Sequence, residues 1–225
     1  MLIVVGAHSR KVGKTSIVCG LIRSLPHVDW TALKISANRE GASHRHAYRF
    51  DQERAPGSHC DTARYLQAGA QRSHWLRASE AQLPAAMPVV QGILDQSRNV
   101  VIESNRILEY VDPDAYLLAL DYSIADFKQS ARRFFAQADA YVLVDRGIEA
   151  PPWGDLPLEL LDWRPVFPVR RPSFVNPRIA AFADHTLSAA PIARAYLRPP
   201  VPRVEPAQRS GVLQDAARVG SLHLE

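Results

Sequence analysis

The chain opens on an apolar run, Leu2-Ile3-Val4-Val5, followed by Val12-Gly13-Lys14-Thr15 and then by a stretch of helical spacing from Thr15 to Ser24. No other feature limits the possible folds as much. A loop between a buried strand and a helix points several backbone N–H groups at one spot, and the helix dipole adds positive potential there. In such a loop Gly13 lets the backbone approach an anion, Lys14 neutralises β- and γ-phosphate charge, and the Thr15 hydroxyl is placed to ligate Mg²⁺. Val12, Gly13, Lys14, Thr15 and Ser16 are therefore the expected phosphate-binding residues. The spacing departs from the common G-x-x-x-x-G-K-[ST] form at one point, because the first glycine would fall at position 8, where this chain has His8 after Gly6. Arg10 and Lys11 read either as solvated charges or as basic groups that reach a phosphate across a dimer interface.

Further β-branched or leucine-rich runs follow at 31–35, 100–102, 116–120, 141–144 and 166–169. Helical spacing separates them at 15–24, 61–68, 81–97 and 125–136. Strands alternating with helices predict a doubly wound α/β fold, a mainly parallel sheet with helices on both faces. The 225 residues, 47% of them hydrophobic, suffice for one sizeable core. Prolines then interrupt the pattern, which places a nucleotide-binding domain at residues 1–170, a helical extension at 171–198 and a proline-containing tail at 199–225.

A formal net charge of +4 favours acidic ligands, yet no basic run is long enough to track a nucleic-acid backbone. No apolar stretch approaches membrane-spanning length, and the two cysteines, Cys19 and Cys60, make neither a disulfide framework nor a paired zinc site by themselves. A cytoplasmic protein without membrane or nucleic-acid partners is the expectation.

Phosphoryl chemistry needs an acidic group at the end of a neighbouring strand to fix Mg²⁺. Glu103, which ends Asn99-Val100-Val101-Ile102, fits that position, and the plainer alternative is a carboxylate paired with a nearby arginine. Lys14 and Glu103 are the expected catalytic pair, with Thr15, Glu103 and Asp61 as metal ligands and Asp51 as a weaker candidate. Lys34, at a strand end, either reaches an anionic substrate or is solvated. Gly69 is placed to stop the helix that precedes it.

Taken in order, these residues resemble the adaptor proteins of molybdopterin-guanine dinucleotide biosynthesis, the MobB-type branch of P-loop GTPases. Members have a second strand ending near Ile-Lys-His, a histidine-containing loop, then Pro-Gly, Asp-Ser and Ala-Gly-Ala segments and a strand ending in Val-Glu-Gly. This chain has Leu33-Lys34-Ile35, His44, His46 and Asp51, Pro56-Gly57, Asp61-Thr62, Ala68-Gly69-Ala70 and Val101-Ile102-Glu103-Ser104. The similarity spans most of residues 1–145, with Ser104 and Asn105 in place of the last glycine and extra residues before Asp61. It implies GTP (or ATP) with Mg²⁺ as the bound cofactor, slow NTPase or adaptor activity, and a homodimer. A cofactor-synthesis protein or an anionic small molecule would be the partner. Guanine is read in such folds by Asn-Lys-x-Asp after a late strand, where this chain has Val144-Asp145-Arg146-Gly147. Asp145 is expected either to touch base or ribose or to cap its loop.

Between Ser36 and Asp61 lies a polar segment with Arg39, His44, Arg45, His46, Arg49, Arg54, His59 and Cys60 and no strong periodicity. It reads as a loop that binds a transition metal, gathers an anionic substrate on its arginines, or is simply solvated. Three functions follow. The first is a nucleotide-hydrolysing adaptor in assembly of a molybdopterin-type or metal cofactor. The second is an ATP-dependent small-molecule ligase or kinase. The third is a non-catalytic dimeric scaffold with a degraded loop.

Overall fold

The computed structural model describes residues 1–37 and 48–189. The strands are β1 (Leu2–Ala7), β2 (Trp30–Ser36), β3 (Arg49–Glu53), β4 (Arg72–Arg77), β5 (Asn99–Glu103), β6 (Ala115–Leu120), β7 (Ala140–Val144) and β8 (Val166–Val169). The helices are α1 (Lys14–Ser24), α2 (Asp61–Ala68), α3 (Leu83–Asp95), α4 (Gln129–Arg132), α5 (Leu160–Trp163) and α6 (Pro177–Ala189). Together the strands form one eight-stranded sheet in the order β3-β4-β2-β5-β1-β6-β7-β8. All pairings are parallel except that of β3 with β4.

Every residue of β1 is buried, as a central strand covered on both faces requires. Successive side chains alternate between the two layers. Ile3, Val5 and Ala7 join Ile17, Val18 and Leu21 of α1, Tyr65 of α2 and Ile179 and Ala183 of α6. Leu2 and Val4 join Val90 and Leu94 of α3 with Phe127 and Phe135 on the opposite face. The doubly wound α/β fold expected from the sequence is thus the fold observed. Because the chain leaves β1 first toward β2 and later returns to the other side at β6, the strand order reverses beside β1. In open parallel sheets that reversal opens a crevice at the carboxyl ends of the strands.

The six runs read as strands are strands, but β3 and β4 complete the edge of the sheet beyond them. β3 falls inside the segment read as a polar loop, and it corrects that reading for residues 49–53. Its sequence, Arg-Phe-Asp-Gln-Glu, has one apolar side chain because an edge strand here has little core to face. The helix expected at 125–136 shortens to α4 and a 3-10 turn at Phe135–Gln137. Lys128 N–H donates to the His8 carbonyl at 2.8 Å, and this tether holds Lys128 in an extended conformation that delays the helix. Past the prolines, α6 packs on the α1 side of the sheet, its start fixed by Asn176 accepting from Ile179 N–H at 3.1 Å. The end of the expected 171–198 extension and the 199–225 tail lie outside the described residues, as do Arg39, His44, Arg45 and His46. Among the described residues no helix is long and apolar enough to cross a membrane.

Candidate functional site

The loop from His8 to Gly13 leaves the buried end of β1 and delivers the chain into α1. Gly13 has φ of 119°, a left-handed conformation, and a Cβ there would lie 2.2 Å from the Phe174 ring. Glycine is thus required twice over. Among the described residues no side chain caps the first turn of α1, and no acidic residue lies in that turn, which leaves its amide groups suited to an anion.

Strand register assembles the rest. β5 lies between β1 and β2, which sets Glu103 opposite both Val5 and Lys34. Thr15 Oγ1, in the first turn of α1, donates to Glu103 Oε2 at 2.8 Å. Lys34 Nζ donates to Glu103 Oε1 at 3.0 Å and to Asp61 Oδ2 at 2.5 Å. The buried Tyr65 hydroxyl also donates to Glu103 Oε2. Burial and then the Glu103 charge hold the Tyr65 phenol well above its ordinary pKa, so it stays a donor. Burial alone would lower the Lys34 ammonium, but Glu103 and Asp61 outweigh it and raise its pKa. Burial would likewise raise Asp61, yet the Lys34 hydrogen bond and charge hold it down. Lys34 and Asp61 are therefore both charged at neutral pH.

Thr15, Lys34, Asp61 and Glu103 line one cavity of about 780 Å³, within the range of small-molecule sites. Arg10, Lys11, Lys14 and Lys128 face it from the loop side, and Lys34, Arg64 and Arg171 from the other walls, against Asp61 and Glu103 alone among the acidic side chains of the described residues. Burial lowers the pKa of Lys14, with Glu103 partly opposing it. Lys128 is pushed down to about 8, first by burial and then by the charges of Lys14 and Arg10. Two ammonium groups made less favourable by burial and by neighbouring positive charges are what an incoming polyanion would relieve.

His8 explains the missing first glycine. Its side chain is fully buried, with ring centroids 4.6 Å from Trp153 and 5.2 Å from Phe127. Nδ1 bonds the Asp126 carbonyl at 3.1 Å, and Nε2 accepts from Asp121 N–H at 3.1 Å, so the ring is neutral with its proton on Nδ1. Burial holds its pKa down at about 4. His8 is a post joining the ends of β1 and β6 to the segment before α4, and its N–H and C=O extend that bracing to Ala119 and Lys128. Asn105 braces the other side, accepting from Ala7 N–H at 2.9 Å and donating to its carbonyl at 2.8 Å. A Cβ on Gly6 would lie 2.3 Å from Asn105 Oδ1, so Gly6 makes room for that brace.

Of the residues expected from the sequence, Gly13, Lys14, Thr15, Ser16, Asp61 and Glu103 are brought to one cavity, and Lys34 joins them. Val12 is buried in the core behind the loop. Two candidates are not brought there. Asp51 pairs with Arg77 and Arg49 on the outer strands. Asp145 lies outside the cavity lining, because its carboxylate accepts from Gly147 N–H at 2.8 Å and from Arg170 Nε at 2.9 Å, capping the loop after β7. Sequence reading missed Arg64, Lys128, Arg171 and Phe174. Arg171 stands just after β8, at the carboxyl end of a parallel strand, which was the one available signal.

No family model matches the chain and no curated protein matches it in sequence, so the MobB-type resemblance rests on the residues that carry it. Among solved structures, the chain is similar to HypB from Helicobacter pylori in complex with nickel, at 14% identity and a TM-score of 0.47 over 83% of this chain and 85% of that one. It is also similar to the "apo" form of LpxK from Aquifex aeolicus in complex with ATP, at 17% identity and a TM-score of 0.45 over 74% of this chain and 53% of that one.

Proposed function

We propose that this chain binds a magnesium nucleoside triphosphate through residues 12–16 and hydrolyses it slowly, acting as an adaptor NTPase in assembly of a molybdopterin-type cofactor. The observation that carries the nucleotide reading is the convergence of Lys14, Thr15, Lys34, Asp61 and Glu103 on the open first turn of α1. The α1 amides and Lys14 would take the β- and γ-phosphates, with Lys128 adding charge from the segment before α4. An ammonium held between two carboxylates beside the Thr15 hydroxyl marks a place where positive charge is stabilised. Thr15, Glu103 and Asp61 therefore make a hard oxygen set that fits Mg²⁺. Bound there, the ion would neutralise charge on the terminal phosphates. Glu103 would stay oriented by Tyr65, and Lys34 would be freed to face the anion. The choice of GTP, the molybdopterin role and a homodimer come from the family resemblance.

Calorimetric titration with GTP, ATP and CTP, with and without Mg²⁺, tests this reading. Lys14→Ala is expected to weaken binding at least tenfold, about 1.4 kcal/mol, with an unchanged circular dichroism spectrum. Equal affinity in variant and parent would remove the phosphate-site assignment, and no binding by the parent would leave the scaffold reading.

A second reading, an ATP-dependent kinase or ligase for an anionic small molecule, is favoured by the three cations Lys34, Arg64 and Arg171 on the walls away from the loop. It requires ATP preference and turnover that depends on an added acceptor, whereas an adaptor NTPase turns over alone.

A further inference from the structure

The segment just before α2 carries a second constellation, outside the phosphate cavity. Glu53 ends β3, His59 and Cys60 lie in the turn that follows, and one ligand atom from each falls within 4.8 Å of the others. Cys60 Sγ lies 3.2 Å from Glu53 Oε2, and His59 Nε2 lies 3.7 Å from the same oxygen. The edges of a tetrahedron around an ion with bonds of about 2.0–2.3 Å measure about 3.3–3.8 Å. The two edges that share Glu53 Oε2 already have coordination spacing, and the third lies within 4.8 Å.

The Glu53 carboxylate is also aimed. Its Oε1 accepts from Arg54 N–H at 3.0 Å and Ala55 N–H at 3.3 Å, which turns Oε2 toward Cys60, His59 and the Thr62 hydroxyl. Cys60 is fixed independently, because as N-cap of α2 its sulfur accepts from Ala63 N–H at 3.5 Å. Two donors are thus held by the backbone, and the imidazole, 62% exposed, is free to swing onto an ion. Thiolate, imidazole and carboxylate together select a borderline-soft divalent ion rather than magnesium, which prefers an all-oxygen set.

We propose that Glu53, His59 and Cys60 form a binding site for a zinc-type divalent transition-metal ion, with three protein ligands and an open fourth position. An open position is the mark of an exchangeable or reactive ion rather than a purely structural one. On binding, the Cys60 thiol proton, now directed at Glu53, is released to solvent, and the thiolate and Glu53 oxygen both turn to the ion. The site adjoins Asp61, the next residue after Cys60, so an ion there is set one residue from a wall of the phosphate cavity.

Titration of the full chain with Co²⁺, followed by absorption, tests the proposal without any nucleotide. One equivalent is expected to produce a thiolate-to-cobalt charge-transfer band that Zn²⁺ displaces, with one proton released per ion. Cys60→Ser keeps a good N-cap for α2 and so keeps the fold, but it is expected to abolish the band. His59→Ala is expected to weaken binding by more than about tenfold, the loss already typical when only an outer partner of a metal ligand is removed. No band in the parent, an undiminished band in Cys60→Ser, or unchanged affinity in His59→Ala would each overturn the site. Because Lys14 lies outside it, Lys14→Ala is expected to bind Co²⁺ as the parent does, which separates failure of this proposal from failure of the nucleotide reading.

Discussion

At the scale of single residues, His8 in the phosphate loop and Lys128 at its side have physical consequences that are open to measurement. His8, neutral and buried, binds its proton less readily in the folded chain than in the unfolded one. Between about pH 6.5 and about 4 the unfolded chain therefore takes up the extra proton, and stability present above that window is lost as pH falls through it. The linkage amounts to about 3 kcal/mol. In His8→Gly, which restores the missing glycine, the Asp121 N–H and Asp126 carbonyl lose their partner and a void opens between Phe127 and Trp153. Denaturant melts at neutral pH are expected to show a loss of about 3 kcal/mol or more, with one proton less in the acid dependence than the parent. A stable His8→Gly protein would mean that the histidine is not the post described. Lys128 gives the opposite kind of pH signal. Charged below about pH 8 and neutral above it, it is expected to let nucleotide affinity fall as pH rises through that value. In Lys128→Gln that step should vanish while the rest of the profile remains, as read by titration between pH 7 and 9.5 (on the order of one charge in the step).

At the scale of elements, the site depends on how the segment after β8 lies across α1. Val175 sits against Gly20, where a Cβ would come within 2.5 Å of its Cγ2 and 2.9 Å of its Cβ. Phe174, the neighbouring residue, lies on Gly13 and lines the cavity. Gly20→Ala is therefore expected to destabilise the protein by about 1–3 kcal/mol through overpacking and to disturb nucleotide binding through Phe174. Adding Val175→Ala should recover most of both losses. Stability measured on the two single variants and the double variant would decide this, since additive losses would place the clash elsewhere. The polar edge strand β3 has a parallel role on the other flank. By pairing antiparallel with β4 it delivers Glu53 to the turn before α2, and with it the ligand cluster beside Cys60.

At the scale of the whole molecule, the strand reversal beside β1 gathers the ends of β1, β2 and β5 with the segments before α4 and after β8. Arg10, Lys11 and Lys128 all face the cavity of their own chain. A site complete within one chain predicts that mixing an Arg10→Ala, Lys11→Ala chain with a Lys14→Ala chain restores no activity beyond that of the separate variants. A basic residue donated across a dimer interface predicts recovery instead. NTPase assays on the mixture, with sedimentation to establish the assembly, distinguish the two.

The sequence by itself determined the alternation of strands and helices, the loop at Gly13-Lys14-Thr15 and the acidic strand end at Glu103. Each is a local matter of periodicity, or of a residue type whose chemistry depends on its immediate neighbours. Tertiary structure alone decided what no local pattern encodes. β3 gains its strand from its pairing with β4 rather than from apolar alternation, and Lys128 and Arg171 reach the cavity from sequence-distant segments that only the sheet order brings together. His8 looked like a defect because its partners, Asp121 and Asp126, lie more than a hundred residues away, with |i−j| of 113 and 118. Asp145 looked available because the carboxylate's partner, Arg170, comes from the neighbouring strand's end. Side chains whose roles are set by long-range contacts acquire those roles only when the sheet closes around them.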